Sequence, residues 1–366
     1  MLASLFLWCA FLAATQDSGT LLVRGSQALQ AGDNVSAEKN FRRALESDPS
    51  SVEVLNDLAI ALARQGKQDE AIALYRRALK IKPGDIATSR NLAIADFRAE
   101  RYQDAWPLLQ QLTKASPDFQ TLDLAGLTLF ALDRYSEAAK YLEQASKLNP
   151  SDLATLDVLG KAYMRLQNYQ AVTDVFARVM AVNPNSPQAH VLMGMADDKM
   201  SRDEDARAEY EAAASVDAHF PGVHSGLGQI YWKEGKIDLA EAEFNAELKN
   251  YPTDPISNCL LGEILMRQND PASALPHFRA AIAANPNYKE ALFDLGKAEL
   301  TLNQPGDALQ ALRGAIALDP DYVQAHYALG TALRKLDRPA EAKKEQALAE
   351  QIQARQRAEY ANKLNR

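Results

Sequence analysis

Apolar and polar residues along this chain follow a helical rhythm that restarts every 34 residues. In one such segment Leu295, Ala298 and Leu302 share a helical face, and after a break Ala308, Leu309, Leu312, Ala315 and Ile316 share another. Each segment is therefore predicted to hold two amphipathic helices of about a dozen residues. Turn formers such as Gly32, Gly66, Gly235 and Asn269 fall between them. Prolines close the segments at 49, 83, 117, 150, 184, 252, 286 and 320, with gaps of 34, 34, 33, 34, 68, 34 and 34. The double gap skips Ala218, which holds the same register.

Numbering each segment so that its proline is position 32 exposes the columns. Position 8 is Gly25, Ala59, Ala93, Gly126, Gly160, Gly194, Gly228, Gly262, Gly296 and Gly330. Position 20 is alanine in every segment but one, where it is Val172. Position 24 is large and apolar or aromatic in nine of ten segments: Phe41, Tyr75, Leu109, Leu142, Phe176, Tyr210, Phe244, Phe278 and Leu312. Small residues at 8 and 20 let two helix backbones approach, the bulky group at 24 fills the neighbouring groove, and alanine at 27 makes room for the next segment. Proline at 32 ends the second helix.

These columns resemble the tetratricopeptide repeat, a 34-residue helix–turn–helix unit with leucine at 7, Gly or Ala at 8, an aromatic at 11, alanine at 20 and 27, an aromatic at 24 and proline at 32. The segment with Leu227, Gly228, Tyr231, Ala240, Phe244 and Pro252 shows the pattern well. The resemblance covers ten units: 18–51, 52–85, 86–118, 119–152, 153–186, 187–220, 221–254, 255–288, 289–322 and 323–356. It implies an all-α, right-handed superhelical solenoid, first helices lining a concave face and second helices the convex back, with one continuous core over residues 17–356. Three departures stand out. The third unit is one residue short before Phe119, which predicts a tilted junction. Glu247 occupies position 27, which predicts disturbed packing between the seventh and eighth units. The last unit has Gln346 at position 24 and runs into a polar tail, so residues 357–366 are expected to finish a capping helix.

Composition narrows the function. The chain has 366 residues, 47% of them apolar, but few aromatics, which suits close helix-on-helix packing. Its net charge of −8 argues against a general nucleic-acid binder. The two cysteines, Cys9 and Cys259, form neither a CxxC pair nor a disulfide framework. Residues 1–16 contain an apolar run from Leu2 to Ala14, too short to span a bilayer but suited to a secretory signal, so export to the periplasm or cell envelope is expected. The alternative is an apolar first helix in a cytoplasmic regulatory adaptor.

Candidate ligand-reading residues follow from the resemblance, which directs positions 2, 5, 9, 12 and 13 into the groove. Position 13 is basic in seven units, as Arg64, Arg98, Arg165, Lys199, Lys233, Arg267 and Lys335. Such a ladder suits an acidic or C-terminal peptide; equally, a cation there complements the dipole at a helix end. Trp232 beside Lys233 is the favoured anchor, among larger apolar groups Phe97, Phe130, Met164, Met266, Phe293 and Tyr327. The family's chaperone-tail clamp is absent because no unit has asparagine at position 9. Its glycosyltransferase-type asparagine ladder is represented only by Asn91. His190, His224 and His326 share position 4, too far apart to converge on one ion, and Cys259 among apolar neighbours is expected to be inert. No HExxH, GxSxG, GxxxxGK[ST] or GxGxxG motif occurs, and no cofactor is implied. The expected function is a non-enzymatic scaffold that binds a protein or peptide; a glycan-processing arm is the alternative from another class.

Overall fold

The computed structural model describes residues 19–364, which form helices joined by short turns and contain no strand. Two compact units divide between Val182 and Asn183. The first contains α1 (residues 19–30), α2 (Asn34–Ser47), α3 (Val52–Arg64), α4 (Gln68–Ile81) and α5 (Ile86–Arg98). It continues with α6 (Tyr102–Ala115), α7 (Phe119–Ala131), α8 (Tyr135–Leu148), α9 (Leu153–Arg165) and α10 (Tyr169–Val182). The second opens with α11 (Pro187–Lys199), α12 (Asp203–Val216), α13 (Val223–Lys233), α14 (Ile237–Asn250) and α15 (Pro255–Arg267). It ends with α16 (Pro271–Ala284), α17 (Lys289–Thr301), α18 (Pro305–Leu318), α19 (Val323–Lys335) and α20 (Pro339–Leu364). Odd-numbered helices are the first helices of the repeats and even-numbered ones the second. The apolar run at residues 1–16, with Cys9, lies outside the described residues.

Local sequence sets the helix ends. Position 34 supplies an N-cap to the next first helix: Ser51, Asp85, Asp118, Asp152, Ser186 and Asp254 each accept from the backbone N–H three residues on. All ten residues at position 15 have positive φ, among them Gly66 at 80° and Asn269 at 61°. This left-handed residue stops the first helix, and the next N–H closes back onto it, as from Lys67 to the Leu62 carbonyl at 3.0 Å. Second helices stop at position 30, where the following residue is pushed into extended backbone by the proline after it. Asp217, followed by Ala218, is equally extended (φ −150°, ψ 99°), so α12 ends in register without a proline.

The core repeats with the sequence. All nine bulky residues at position 24 are buried, as are the position-20 residues. In seven repeats the bulky group lies on a glycine at position 8: a Cβ built on Gly160 would come within 2.4 Å of Phe176, one on Gly228 within 2.5 Å of Phe244, and one on Gly262 within 2.6 Å of Phe278. Within each unit, consecutive first helices also touch one another, α3 with α5 and α7 with α9 in the first unit, α13 with α15 and α17 with α19 in the second. Backbones of consecutive second helices do not approach as closely, and long side chains such as Arg42 and Glu70, 2.8 Å apart, span them, so in each unit the first helices lie on the inside of the curve.

The irregular repeats are accommodated locally. The missing residue is taken from the turn between α6 and α7, and Asp118 stretches to φ −123°, ψ 169° while keeping its capping bond to Thr121 at 2.8 Å. Glu247 is accommodated within its own repeat. Helix α13 begins two residues late, after Gly222 at φ 85°, and has no side-chain cap of its own. The Glu247 carboxylate, 2% exposed, accepts instead from the Gly222 N–H at 2.8 Å and the Ser225 N–H at 3.1 Å. A buried carboxylate so placed satisfies orphan donors and the positive end of α13. Helix α20 runs on as the expected cap, burying Ala349 and Ile352 and tying Arg355 to Asp321 at 2.5 Å.

Three substitutions should shift stability in stated directions. Gly296→Ala, whose Cβ would meet Leu312 at 2.6 Å, should cost about 1–3 kcal/mol by overpacking, whereas Gly306→Ala, with open space around it, should stabilise by about 0.5–1 kcal/mol. Glu247→Ala restores the repeat consensus yet should cost about 1–3 kcal/mol by stranding the α13 N–H groups. Urea denaturation measures all three; a neutral Glu247→Ala would show that water caps α13 equally well.

Candidate ligand groove

The inner face of the second unit carries an open cavity of about 490 Å³, bordered by Lys199, Trp232, Lys233, Ile256, Leu260 and Tyr288. Helices α11, α13 and α15 supply these side chains from groove positions 2, 12 and 13 and, with Leu260, from position 6, together with Tyr288 from the turn before α17. Trp232 packs partly into the cluster of Ala240, Phe244, Leu261 and Ile264. The Arg267 guanidinium stands 4.2 Å from the Trp232 ring centroid, a cation–π arrangement that holds the indole in place.

The cations at position 13 do different work in different repeats. Lys233 is held by Asp198 and by Asp203, the latter at 3.1 Å, and these contacts keep its pKa above the usual lysine value against the opposing effect of burial. Lys199 is more than half exposed and meets Asp198 only at 3.6 Å. In the first unit Arg64 donates to the Leu29 carbonyl at 3.0 Å, and it borders a 180 Å³ cavity with Arg98. Lys335 donates to the Leu300 carbonyl at 3.4 Å. Both carbonyls are at position 12 of the preceding first helix, so these two cations join adjacent repeats at the negative end of a helix. Arg165, at the end of α9, is exposed and borders neither cavity. The structure thus groups Lys199, Trp232, Lys233 and Arg267 in one unit and Arg64 with Arg98 in the other.

Position-12 aromatics pack on their own repeat: Phe97 meets Tyr102 edge-on at 5.4 Å and Phe130 meets Tyr135 at 5.3 Å. The position-4 histidines bridge the two helices of a repeat, His190 to Glu209 at 2.7 Å, His224 to Glu243 at 2.6 Å and His326 to Glu345 at 2.7 Å. In the eighth repeat the pair is reversed, Asn258 meeting His277 at 3.0 Å.

Sequence reasoning missed two acidic features. Beside the cavity, Cys259, Glu263 and Asp294 bring donor atoms within 4.8 Å of one another, from positions 5, 9 and 6 of successive repeats. Burial pushes the Cys259 thiol up to about 12, so the thiolate that would ligate a metal is disfavoured. Burial, with Asp294 alongside, pushes Glu263 up to about 7; Asp294 is raised by burial, against the pull of Lys297 at 3.1 Å. The second feature is a buried acid at position 11, where the family favours an aromatic: Asp96, Asp197 and Glu299. A carboxylate in that column was the available signal.

One family model described as tetratricopeptide repeat matches residues 22–86, 191–255, 259–321 and 293–358, and a second matches 62–125 and 129–196. The chain belongs to the tetratricopeptide repeat family. A comparison with curated proteins gave no match. Among solved structures, the Cut9–Hcn1 hetero-tetramer of the APC/C is similar with a TM-score of 0.53 at 17% identity, over 92% of this chain and 73% of that one. YrrB, described as a TPR protein with an unusual peptide-binding site, has a TM-score of 0.43 at 21% identity over 50% of this chain and 94% of its own. A MamA structure from Desulfovibrio magneticus RS-1 has 0.44 at 20% identity, over 46% and 96%. The Cut9–Hcn1 likeness shows the fold alone. No described helix is long and apolar enough to cross a membrane.

The raised carboxyl of Glu263 has a consequence for stability. Between its ordinary value of 4.5 and about 7 the folded state binds more protons than the unfolded chain, so stability should fall as pH rises through that window. The loss should be about 1–2 kcal/mol after solvent screening. Denaturation midpoints from pH 5 to 8 should decline for the wild type and flatten in Glu263→Gln; an unchanged slope in the variant would assign the effect elsewhere.

Proposed function

We propose that this protein is a non-enzymatic scaffold that holds a segment of a partner protein on the inner face of its second unit, in support of a cell-envelope assembly. The observation that carries the assignment is the 490 Å³ cavity with Trp232 at its side and Lys199 at its rim. Ile256, Leu260 and the indole offer an apolar seat, and a large residue buried there would contribute most of the affinity. Lys199, only loosely engaged by Asp198, and Arg267, stacked on the indole, supply positive charge beside that seat. The partner segment suited to this arrangement carries an apolar or aromatic anchor next to a carboxylate, from an acidic side chain or a chain end.

Placement in the envelope is supported by the apolar run from Leu2 to Ala14. N-terminal sequencing of the mature protein tests it: a start near residue 15 supports export, and an intact Met1 supports a cytoplasmic adaptor.

For the groove, peptides selected from a random library on the full chain should lose at least about tenfold in affinity with Trp232→Ala. Lys199→Glu should weaken acidic peptides most, with a salt dependence that Arg165→Glu leaves intact. Peptides that bind Trp232→Ala as tightly as wild type would move the site off this face.

A further inference from the structure

The opposite side of the second unit holds another cavity, of about 580 Å³, between the second helices α16 and α18 and floored by α17. Here the backbones of α16 and α18 stand farther apart than those of α15 and α17, which touch. Leu292, Leu295 and Ile282 form its apolar wall, and Glu299, Asp307 and Arg279 its polar part. Glu299 is 3% exposed. Its Oε1 accepts a long bond from Arg279 Nη2 at 3.4 Å, while its Oε2 is buried with no hydrogen-bond partner. A bare, buried carboxylate oxygen beside an open cavity is a site built for a donor that the chain does not supply.

The same three positions recur in the first unit as Asp96, Asp104 and Arg76. There Arg76 Nη2 lies 2.8 Å from Asp104 and 3.5 Å from Asp96, between the two carboxylates. An acid at position 11 is therefore a structural option of this array; what sets Glu299 apart is the cavity alongside it.

We infer that this outer cavity takes the side chain of a lysine presented by a partner polypeptide, with its ammonium on Glu299 Oε2 and its aliphatic stem against Leu292 and Leu295. Charge favours one cation: Glu299 and Asp307 face one guanidinium, and because burial raises the Glu299 carboxyl above its ordinary pKa, an incoming ammonium is what would hold it ionised. Geometry favours ammonium over guanidinium, because a guanidinium is held best by two carboxylate oxygens and Oε1 is already engaged by Arg279. The stem of lysine suits an apolar wall leading to a polar end. The site is separate from the inner groove and does not depend on what binds there.

Methyl NMR of the full chain tests the assignment, with Nα-acetyl-lysine N-methylamide as probe and the norleucine analogue, equal in stem but uncharged, as control. The lysine probe should shift the Ile282, Leu292 and Leu295 methyl signals saturably, at least tenfold more tightly than norleucine. Glu299→Gln should abolish that preference, and Asp307→Asn, remote from Oε2 burial, should weaken it while retaining the fold. Equal response to both probes, no response, or retention of the preference in Glu299→Gln would overturn the inference. Tighter binding of 1,5-diaminopentane than of the lysine probe would overturn the assignment to a polypeptide side chain.

Discussion

The contact on which the rest depends is the seating of the position-24 side chain on the position-8 residue of the same repeat. Where that residue is glycine, the ring of Phe176, Phe244 or Phe278 occupies the space a Cβ would fill. The two helices then lie close at that level, and the burial of one large side chain per repeat stabilises the pair. Backbones of consecutive first helices lie closer together than those of consecutive second helices, which gives each unit an inner and an outer side. Both candidate binding cavities are products of that asymmetry, one over the first helices and one in the wedge between second helices.

Polar chemistry is spent largely on joining what the apolar columns position. Position-4 residues reach position 23, as His326 reaches Glu345. Position 11 reaches position 25 of the repeat before it, as Tyr163 donates to Glu143 at 2.9 Å. Position 13 reaches back to the preceding first helix, as Arg64 does to Leu29. A basic column that looks like a ligand ladder therefore includes structural members. Lys199 differs in being held only loosely, and Arg267 in being stacked on an aromatic ring. The inner-face proposal rests on these two beside Trp232, and the outer-face inference on a carboxylate oxygen that no such link satisfies.

How far the sequence could be read depended on whether a residue acts along the chain or across it. The turn near position 15, the end of the second helix, the buried columns and the C-terminal cap depend on neighbours a few residues away or on a strict period, and they were legible from the sequence; the left-handed backbone at Glu100 and Gln167 and the N-caps at position 34 came only with the structure. The role of Glu247 was not legible either. Its departure from alanine predicts a packing defect, and only the folded turn shows that Gly222 starts α13 late and leaves N–H groups for that carboxylate to accept.

The candidate sites divide along the same line. Sequence by itself determined the repeat and the pairing of helices, because a periodic core fixes both, and the family resemblance directed Lys199, Trp232, Lys233 and Arg267 to the groove face. Tertiary structure decided which leftover charges are already engaged, that Cys259, Glu263 and Asp294 meet, and that Glu299 keeps one oxygen bare beside a cavity. Those outcomes depend on distances of a few ångströms between side chains 20 to 35 residues apart, and the rotamers that set such distances are chosen by packing that the period does not encode.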